Sequence, residues 1–437
     1  MSTTETQDIK EFLARELERG RGRSLGLTTE VLDEAELTAQ HSRLMSPLVW
    51  DLAHVGNYEE LWLLRATSGA PSLRPEIDPL YDAFEHPRAT RPSLPLLSPA
   101  ESLDYLGLVR RQVLDTLDRV RLDDAEPLLA SGFVYRMVLQ HEHQHDETML
   151  ATHQLRRGAR ALPDTTSGPP PRASHWPTEV LVPAGSFVMG TSTDPWALDN
   201  ERPARRVDLP GYFLDTAPVS NAAYRAFVES GGYEDERLWS PAGWQWRCRS
   251  GKRTPAFWVR DSGSWLRRRL GALEPLPDEE PVQHVCYFEA DAYARYAGRR
   301  LPTEAEWEKA ASWDPVTETK RRHPWGDAAP GPEHANLGQA RTRPAPVGSF
   351  PAGASAYGIL QLLGDVWEWT STDFTGHPGF CSYPYREYSE VFFGSDHKVL
   401  RGGSWATDPL VCRGTFRNWD YPIRRQIFAG FRTARDA

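Results

Sequence analysis

The chain has 437 residues, enough for about two to three domains, and its composition, 40% hydrophobic and 25% charged, fits a globular protein with ample core. A formal net charge of −10 with scattered Lys and Arg excludes the basic footprint of a nucleic-acid binder. No apolar run of about 18 residues occurs, so no membrane span is expected. Residues Met1 to Glu11 are polar and acidic, so no signal peptide is expected, and the dispersed Cys248, Cys286, Cys381 and Cys412 suit a reducing cytoplasm rather than a disulfide framework.

The first predicted helix covers 9–18, with Ile9, Phe12, Leu13 and Leu17 on one stripe. A second covers 44–64, with Pro47 in its first turn, Leu48, Leu52, Val55 and Trp62 on its apolar face, and His54 in its middle. Residues 65–98 are Pro-rich and irregular. A third helix is predicted over 100–120 and a fourth over 125–156, and four helices with short connections read as an antiparallel bundle. Gly168-Pro169-Pro170-Pro171 marks a linker over 161–177, which separates a domain at 1–160 from another at 178–437.

Beyond the linker the texture changes. Most of the 16 Trp and 36 Pro lie there, which predicts short strands, such as 180–182 and 186–189, separated by loops packed with aromatic residues. Helices are expected over 221–230, 289–297 and 304–312, the last opened by the capping-box pattern Thr303-Glu304-Ala305-Glu306. No period of about 20–50 residues appears, so solenoids and propellers are excluded.

The fourth helix carries His141-Glu142-His143-Gln144-His145-Asp146-Glu147-Thr148. At about 3.6 residues per turn, His141 and His145 share a face, and two imidazoles so placed can hold one metal ion. Gln144 and Thr148 lie beside them, and His143 points the other way. Such a pattern alone also describes a solvated helix face, and His54 alone also describes a core histidine. Glu147 lies about 200° round the helix from His145, which argues against a triad of two histidines and a carboxylate.

The second half carries a dense series of phrases: Phe187-Val188-Met189-Gly190, Asn200-Glu201-Arg202-Pro203, Arg300-Leu301-Pro302-Thr303-Glu304-Ala305-Glu306-Trp307-Glu308, Gly364-Asp365-Val366-Trp367-Glu368-Trp369, Leu400-Arg401-Gly402-Gly403-Ser404-Trp405 and Gly430-Phe431-Arg432. Together they resemble the formylglycine-generating-enzyme fold, a C-type-lectin-like α+β domain. The first half resembles a DinB-like metal-binding four-helix bundle. Joined in this order, the two resemble the sulfoxide synthases of ergothioneine biosynthesis, also called hercynine oxygenases.

That resemblance implies a non-haem iron(II) enzyme that uses O2 to join the thiol of γ-glutamylcysteine to C2 of the hercynine imidazole as a sulfoxide. It places the Fe(2+) ligands on His54, His141 and His145, three neutral imidazoles that leave other positions open. It places Gln144 and Trp419 at hercynine, and Arg88, Asp420 and Arg424 at the charged ends of γ-glutamylcysteine, with Arg91 an alternative to Arg88. Tyr385 is implied as the acid and Tyr388 as its neighbour, with Tyr383 an alternative, and the site is expected where the two domains meet. Cysteine remains open as the thiol.

Three other readings stand beside it. A formylglycine-forming oxidase would need a reactive cysteine pair in the C-terminal lobe, but Cys412 follows Leu410-Val411, the only other late cysteine, Cys381, lies outside the usual phrase, and the bundle would have no purpose. A DinB-type metal-dependent thiol S-transferase would leave the loop from Trp419 to Arg424 without a purpose. A non-catalytic lectin-like binding module is the third, and the identity of the bound metal separates all of these.

Overall fold

The computed structural model describes residues 3–122, 125–165, 168 and 170–437. Its first long helix, α1 (Thr3–Gly26), runs well past the predicted end. After Leu17 its inward face continues with Arg21 and Ser24, which are buried, so the apolar stripe stops while the helix does not. Helix α2 (Leu48–Glu60) begins after Pro47, whose extended backbone makes it the N-cap and not part of the first turn. It continues into a five-residue π turn at Leu61–Arg65 and stops at left-handed Gly69.

Helix α3 (Pro99–Arg119) starts at a capping box between Ser98 and Glu101. Helix α4 (Phe133–Leu155) starts later than the sequence predicts, because Ser131 and Gly132 adopt positive φ of 51° and 72°. A left-handed pair cannot continue a right-handed helix.

Leu13 and Leu17 of α1, Leu52 of α2, Val109 and Val113 of α3, and Val134 and Val138 of α4 are all buried and form the core of the bundle. Beside them lies a buried charged layer. Arg21 donates to Glu142 at 2.8 Å and to Glu59 at 2.7 Å, and Arg110 donates to Glu59 at 2.7 Å. Each charge has an opposite partner, which is what makes its burial tolerable.

The chain divides into two units: Met1–Pro163 with Leu270–Ala272, and Asp164–Arg269 with Leu273–Ala437. The second contains, in chain order, β1 (Glu179–Val182), β2 (Gly185–Met189), β3 (Arg205–Leu209), β4 (Tyr212–Asp215), α5 (Asn221–Glu229), α6 (Pro241–Ser250), β5 (Trp258–Asp261), β6 (Ser264–Arg269) and β7 (Ala272–Pro275), whose first residue groups with the bundle. Then come α7 (Tyr287–Tyr296), α8 (Glu304–Ser312), β8 (Trp367–Asp373), β9 (Lys398–Arg401), β10 (Asn418–Asp420), β11 (Ala429–Gly430) and β12 (Ala434–Asp436). Helix α6 and the sheet β5–β6–β7 were not predicted from the sequence. The other sheets are β1–β4–β12, β10–β9–β8–β11, β2–β3 and a short pair of Trp313–Asp314 with Thr319–Lys320.

The sequence phrases that carried the resemblance form the framework of this unit. Glu368 on β8 accepts from Arg432 at 2.7 Å and from Trp307 Nε1 at 2.8 Å. Arg401 on β9 donates to Glu304 at 2.8 Å and to Glu308 at 2.7 Å, both on α8. These groups are all buried. Charge-assisted bonds of this kind, rather than long strands, tie the loop-rich layers together.

Candidate active site

Helix α4 turns its histidines to opposite sides. His143 is buried, its Nδ1 donating to Asp146 Oδ2 at 3.2 Å and its Nε2 lying 3.4 Å from the Arg19 guanidinium. It therefore faces away from the candidate metal, as predicted, but into packed structure and not solvent.

On the other side His141 and His145 meet His54 from α2. One ring nitrogen from each of the three lies within 4.8 Å of the others. His54 Nδ1 donates to the Tyr81 carbonyl at 2.8 Å, and His145 Nδ1 to Asp51 Oδ1 at 3.1 Å. Both bonds fix the tautomer so that Nε2 keeps its lone pair for a metal. His141 Nδ1 is buried with no hydrogen-bond partner.

Two rings hold these imidazoles flat. Trp50 stacks on His54 with centroids 4.5 Å apart, and Tyr58 stacks on His141 at 3.6 Å. Burial, ahead of the electrostatic coupling to neighbouring imidazoles, holds both His54 and His141 well below the usual imidazole range, so they are neutral and able to coordinate. Among the described residues the donors of this group are three histidine nitrogens. Three neutral imidazoles suit a borderline divalent ion such as Fe(2+), and the residues fit the metal that the sequence implied.

Gln144 is half-buried one turn from His141. Arg88 is half-buried and donates to the Leu44 carbonyl at 3.0 Å. Arg91 differs. It is buried, its guanidinium lies 3.4 Å from the Trp50 ring centroid, and it donates to Ser46 Oγ, the His86 carbonyl and the Ala83 carbonyl.

The remaining predicted residues gather in the second unit. Trp419, on β10, stacks on Phe374 with centroids 4.2 Å apart and nearly parallel rings. Tyr388 meets it edge-on at 5.9 Å, and Tyr385 meets Tyr388 at 6.2 Å. Asp420 and Arg424 pair with each other at 3.4 Å. The Tyr383 main-chain N–H donates to Asp199 Oδ2 at 3.3 Å.

Sequence reasoning did not single out Asp51, Trp50, Tyr58, the Tyr81 carbonyl or Phe374. Asp51 had one readable signal, its place one turn before His54 on the same helix. Nothing in the sequence connects it to His145.

A four-helix bundle with a three-histidine metal group, joined to a loop-rich α+β domain, defines a class of two-domain metalloenzymes. Residues 16–149 match the DinB superfamily model, and residues 165–437 match the model for the sulfatase-modifying factor enzyme 1-like domain. The chain is 54% identical over 434 residues to the hercynine oxygenase of Mycolicibacterium thermoresistibile, spanning 97% of this chain and 94% of that one. It is 52% identical over 437 residues to that of Mycolicibacterium smegmatis, spanning 98% and 99%. The formylglycine-generating enzyme of Mus musculus is 32% identical over 320 residues, spanning 65% of this chain and 82% of that one. The chain is an enzyme of the hercynine oxygenase family. Among the described residues no helix is long and apolar enough to cross a membrane.

Proposed function

We propose that the enzyme is an iron(II)- and O2-dependent sulfoxide synthase acting on hercynine and γ-glutamylcysteine. The observation that carries this reading is the three-histidine group with the tautomers of His54 and His145 fixed, in a chain similar along nearly its whole length to hercynine oxygenases. The reaction balances: hercynine gives up its C2 hydrogen and the thiol its S–H hydrogen, one oxygen atom ends on sulfur, and the other leaves as water. Iron, held by His54, His141 and His145, would supply a centre able to bind thiolate and pass electrons to O2.

The chain's own groups account for the rest. Gln144 and the face of Trp419 suit the imidazole of hercynine. Arg88 and Arg424 suit the carboxylates of γ-glutamylcysteine, and Asp420 suits its ammonium group. Each guanidinium nitrogen of buried Arg91 already donates to the protein, which favours half-buried Arg88 for this role. The Tyr385 hydroxyl donates the proton that steers the outcome towards C–S bond formation, an effect typically worth about 10²–10⁴-fold. Without it, O2 adds both oxygen atoms to the thiol and gives a sulfinate. Cys412 is buried, its thiol 3.2 Å from the Gly402 carbonyl, and Cys381 is exposed, so they do not form the pair a formylglycine-forming oxidase requires.

The test is anaerobic loading with iron(II), then exposure to O2 with hercynine and either γ-glutamylcysteine or cysteine. Products are read by mass spectrometry and oxygen uptake by electrode. A sulfoxide with matched oxygen uptake is expected. An S-conjugate formed without oxygen uptake would instead make the enzyme a DinB-type thiol S-transferase.

A further inference from the structure

One buried carboxylate brackets the tyrosine loop. Asp199 is only 3% exposed. Its Oδ1 accepts from Ser389 Oγ at 2.7 Å, and its Oδ2 accepts from the Tyr383 main-chain N–H at 3.3 Å. Between those two anchors lie Tyr385 and Tyr388, the latter packed edge-on against Trp419. The loop has little regular structure of its own, only a single turn at Arg386–Tyr388 and another at Glu390–Phe392. Its position is therefore set largely from outside.

Asp199 itself stands on a rigid base. The next carbonyl, that of Asn200, accepts from Arg417 at 2.8 Å, and Arg417 also pairs with buried Glu304 at 2.6 Å. Glu201 pairs with buried Arg413 and accepts from Thr415 Oγ1 at 2.6 Å. Arg417 lies 5.0 Å from the ring of Phe374, on which Trp419 stacks. The tyrosine anchor and the Trp419 wall thus share one fixed reference, the Arg417–Glu304 pair.

We propose that Asp199 is a positioning residue of the reaction: by holding residues 383 and 389 it sets where the Tyr385 hydroxyl stands relative to the Trp419 face, and so which product forms. This rests on the assignment of Tyr385 as proton donor. Burial pushes Asp199 up to about 6, against the pull of Ser389 and Tyr383. It is still ionised near neutrality, and an ionised acceptor makes the stronger anchor.

The experiment uses iron-loaded Asp199→Ala, Ser389→Ala and Tyr385→Phe proteins beside the unsubstituted enzyme, with hercynine and γ-glutamylcysteine. It reads the sulfoxide-to-sulfinate ratio, the KM of each substrate and the melting temperature. Displacement of a catalytic group by about 1 Å can cost roughly a hundredfold, so Asp199→Ala should lower the ratio by about tenfold or more. Ser389→Ala should lower it in the same direction by less, with the thiol KM unchanged. A merely structural role would lower the melting temperature and total turnover and leave the ratio alone. If Tyr385→Phe shifts the ratio and the other two do not, Asp199 has no positioning role and the function stands. If Tyr385→Phe leaves the ratio unchanged, the assignment of the proton donor falls, and this inference with it. Should Asp199→Ala fail to fold, Ser389→Ala decides, since it removes only one hydroxyl.

Discussion

Each histidine of the candidate centre is held by a different neighbour: a backbone carbonyl for His54, a stacked tyrosine for His141 and a carboxylate for His145. Outer partners of this kind typically contribute about 10–100-fold in metal affinity. Asp51→Asn keeps the shape but weakens the bond that orients His145, so iron(II) or cobalt(II) binding should weaken by that factor while far-ultraviolet circular dichroism stays unchanged. Unaltered affinity in titrations would remove Asp51 from the site. His141→Ala should abolish binding. His143→Ala should keep the metal but destabilise the bundle by about 1–3 kcal/mol, because Asp146 and Arg19 each lose a buried partner. Loss of metal in His143→Ala with retention in His141→Ala would reverse the two faces of the helix.

At the scale of elements, the start of α4 is set by backbone geometry. Gly132 has a φ of 72°, and a Cβ there would lie 3.0 Å from Leu13 Cδ1 on α1. Gly132→Ala therefore adds left-handed strain and a close contact at once, and should cost about 1–2 kcal/mol or more in urea unfolding. A neutral substitution would mean that this turn moves freely. Of the long expectations that missed by several residues, α1 and α4 failed for related reasons. Periodicity sees apolar faces, so it lost α1 where Arg21 and Ser24 replaced Leu, and it overran the start of α4 where only φ marks the break. Helix α8 was placed correctly because its cap, Thr303 with Glu306, is written in local chemistry.

At the scale of the whole molecule, acid should destabilise both units. Burial, ahead of the Arg322 charge, depresses His323 to about 4, and burial likewise depresses His284 to about 3 and, in the bundle, His153 to about 4. Their neutral forms contribute stability that is present above the ordinary imidazole value near 6.5 and lost as pH falls through those depressed values. Glu308 adds to this at lower pH. Burial alone would raise it, but Lys320 and Arg401 hold it at about 2, so its contribution is lost as pH falls from about 4.5 towards 2. Burial raises Asp365 to about 6, which works the other way, favouring stability below about 4 and losing it as pH rises through 6. His323 offers a clean check. Its ring stacks on Trp325 with centroids 5.0 Å apart, and neither ring nitrogen has a hydrogen-bond partner. His323→Phe keeps the stack, so the fall in unfolding free energy from pH 6.5 to 4 should become shallower. An unchanged slope would mean that His323 does not titrate on unfolding.

The sequence alone determined what depends on local spacing: a two-histidine face on one helix, a helical first half followed by a loop-rich second, capped helices, and a set of phrases specific enough to identify the family. Tertiary structure decided what depends on meetings between distant residues. It brought Asp51 to His145, Tyr58 to His141 and Phe374 beneath Trp419, and it buried Arg91 while leaving Arg88 half-buried. It also showed that Glu304, Glu308, Glu368, Arg401 and Arg432 are buried framework pairs. In a sequence a charged residue looks the same whether it will be solvated or buried against a partner about a hundred positions away. Only the fold fixes which, because the cost of burying a charge is offset by a partner whose distance is not encoded in spacing.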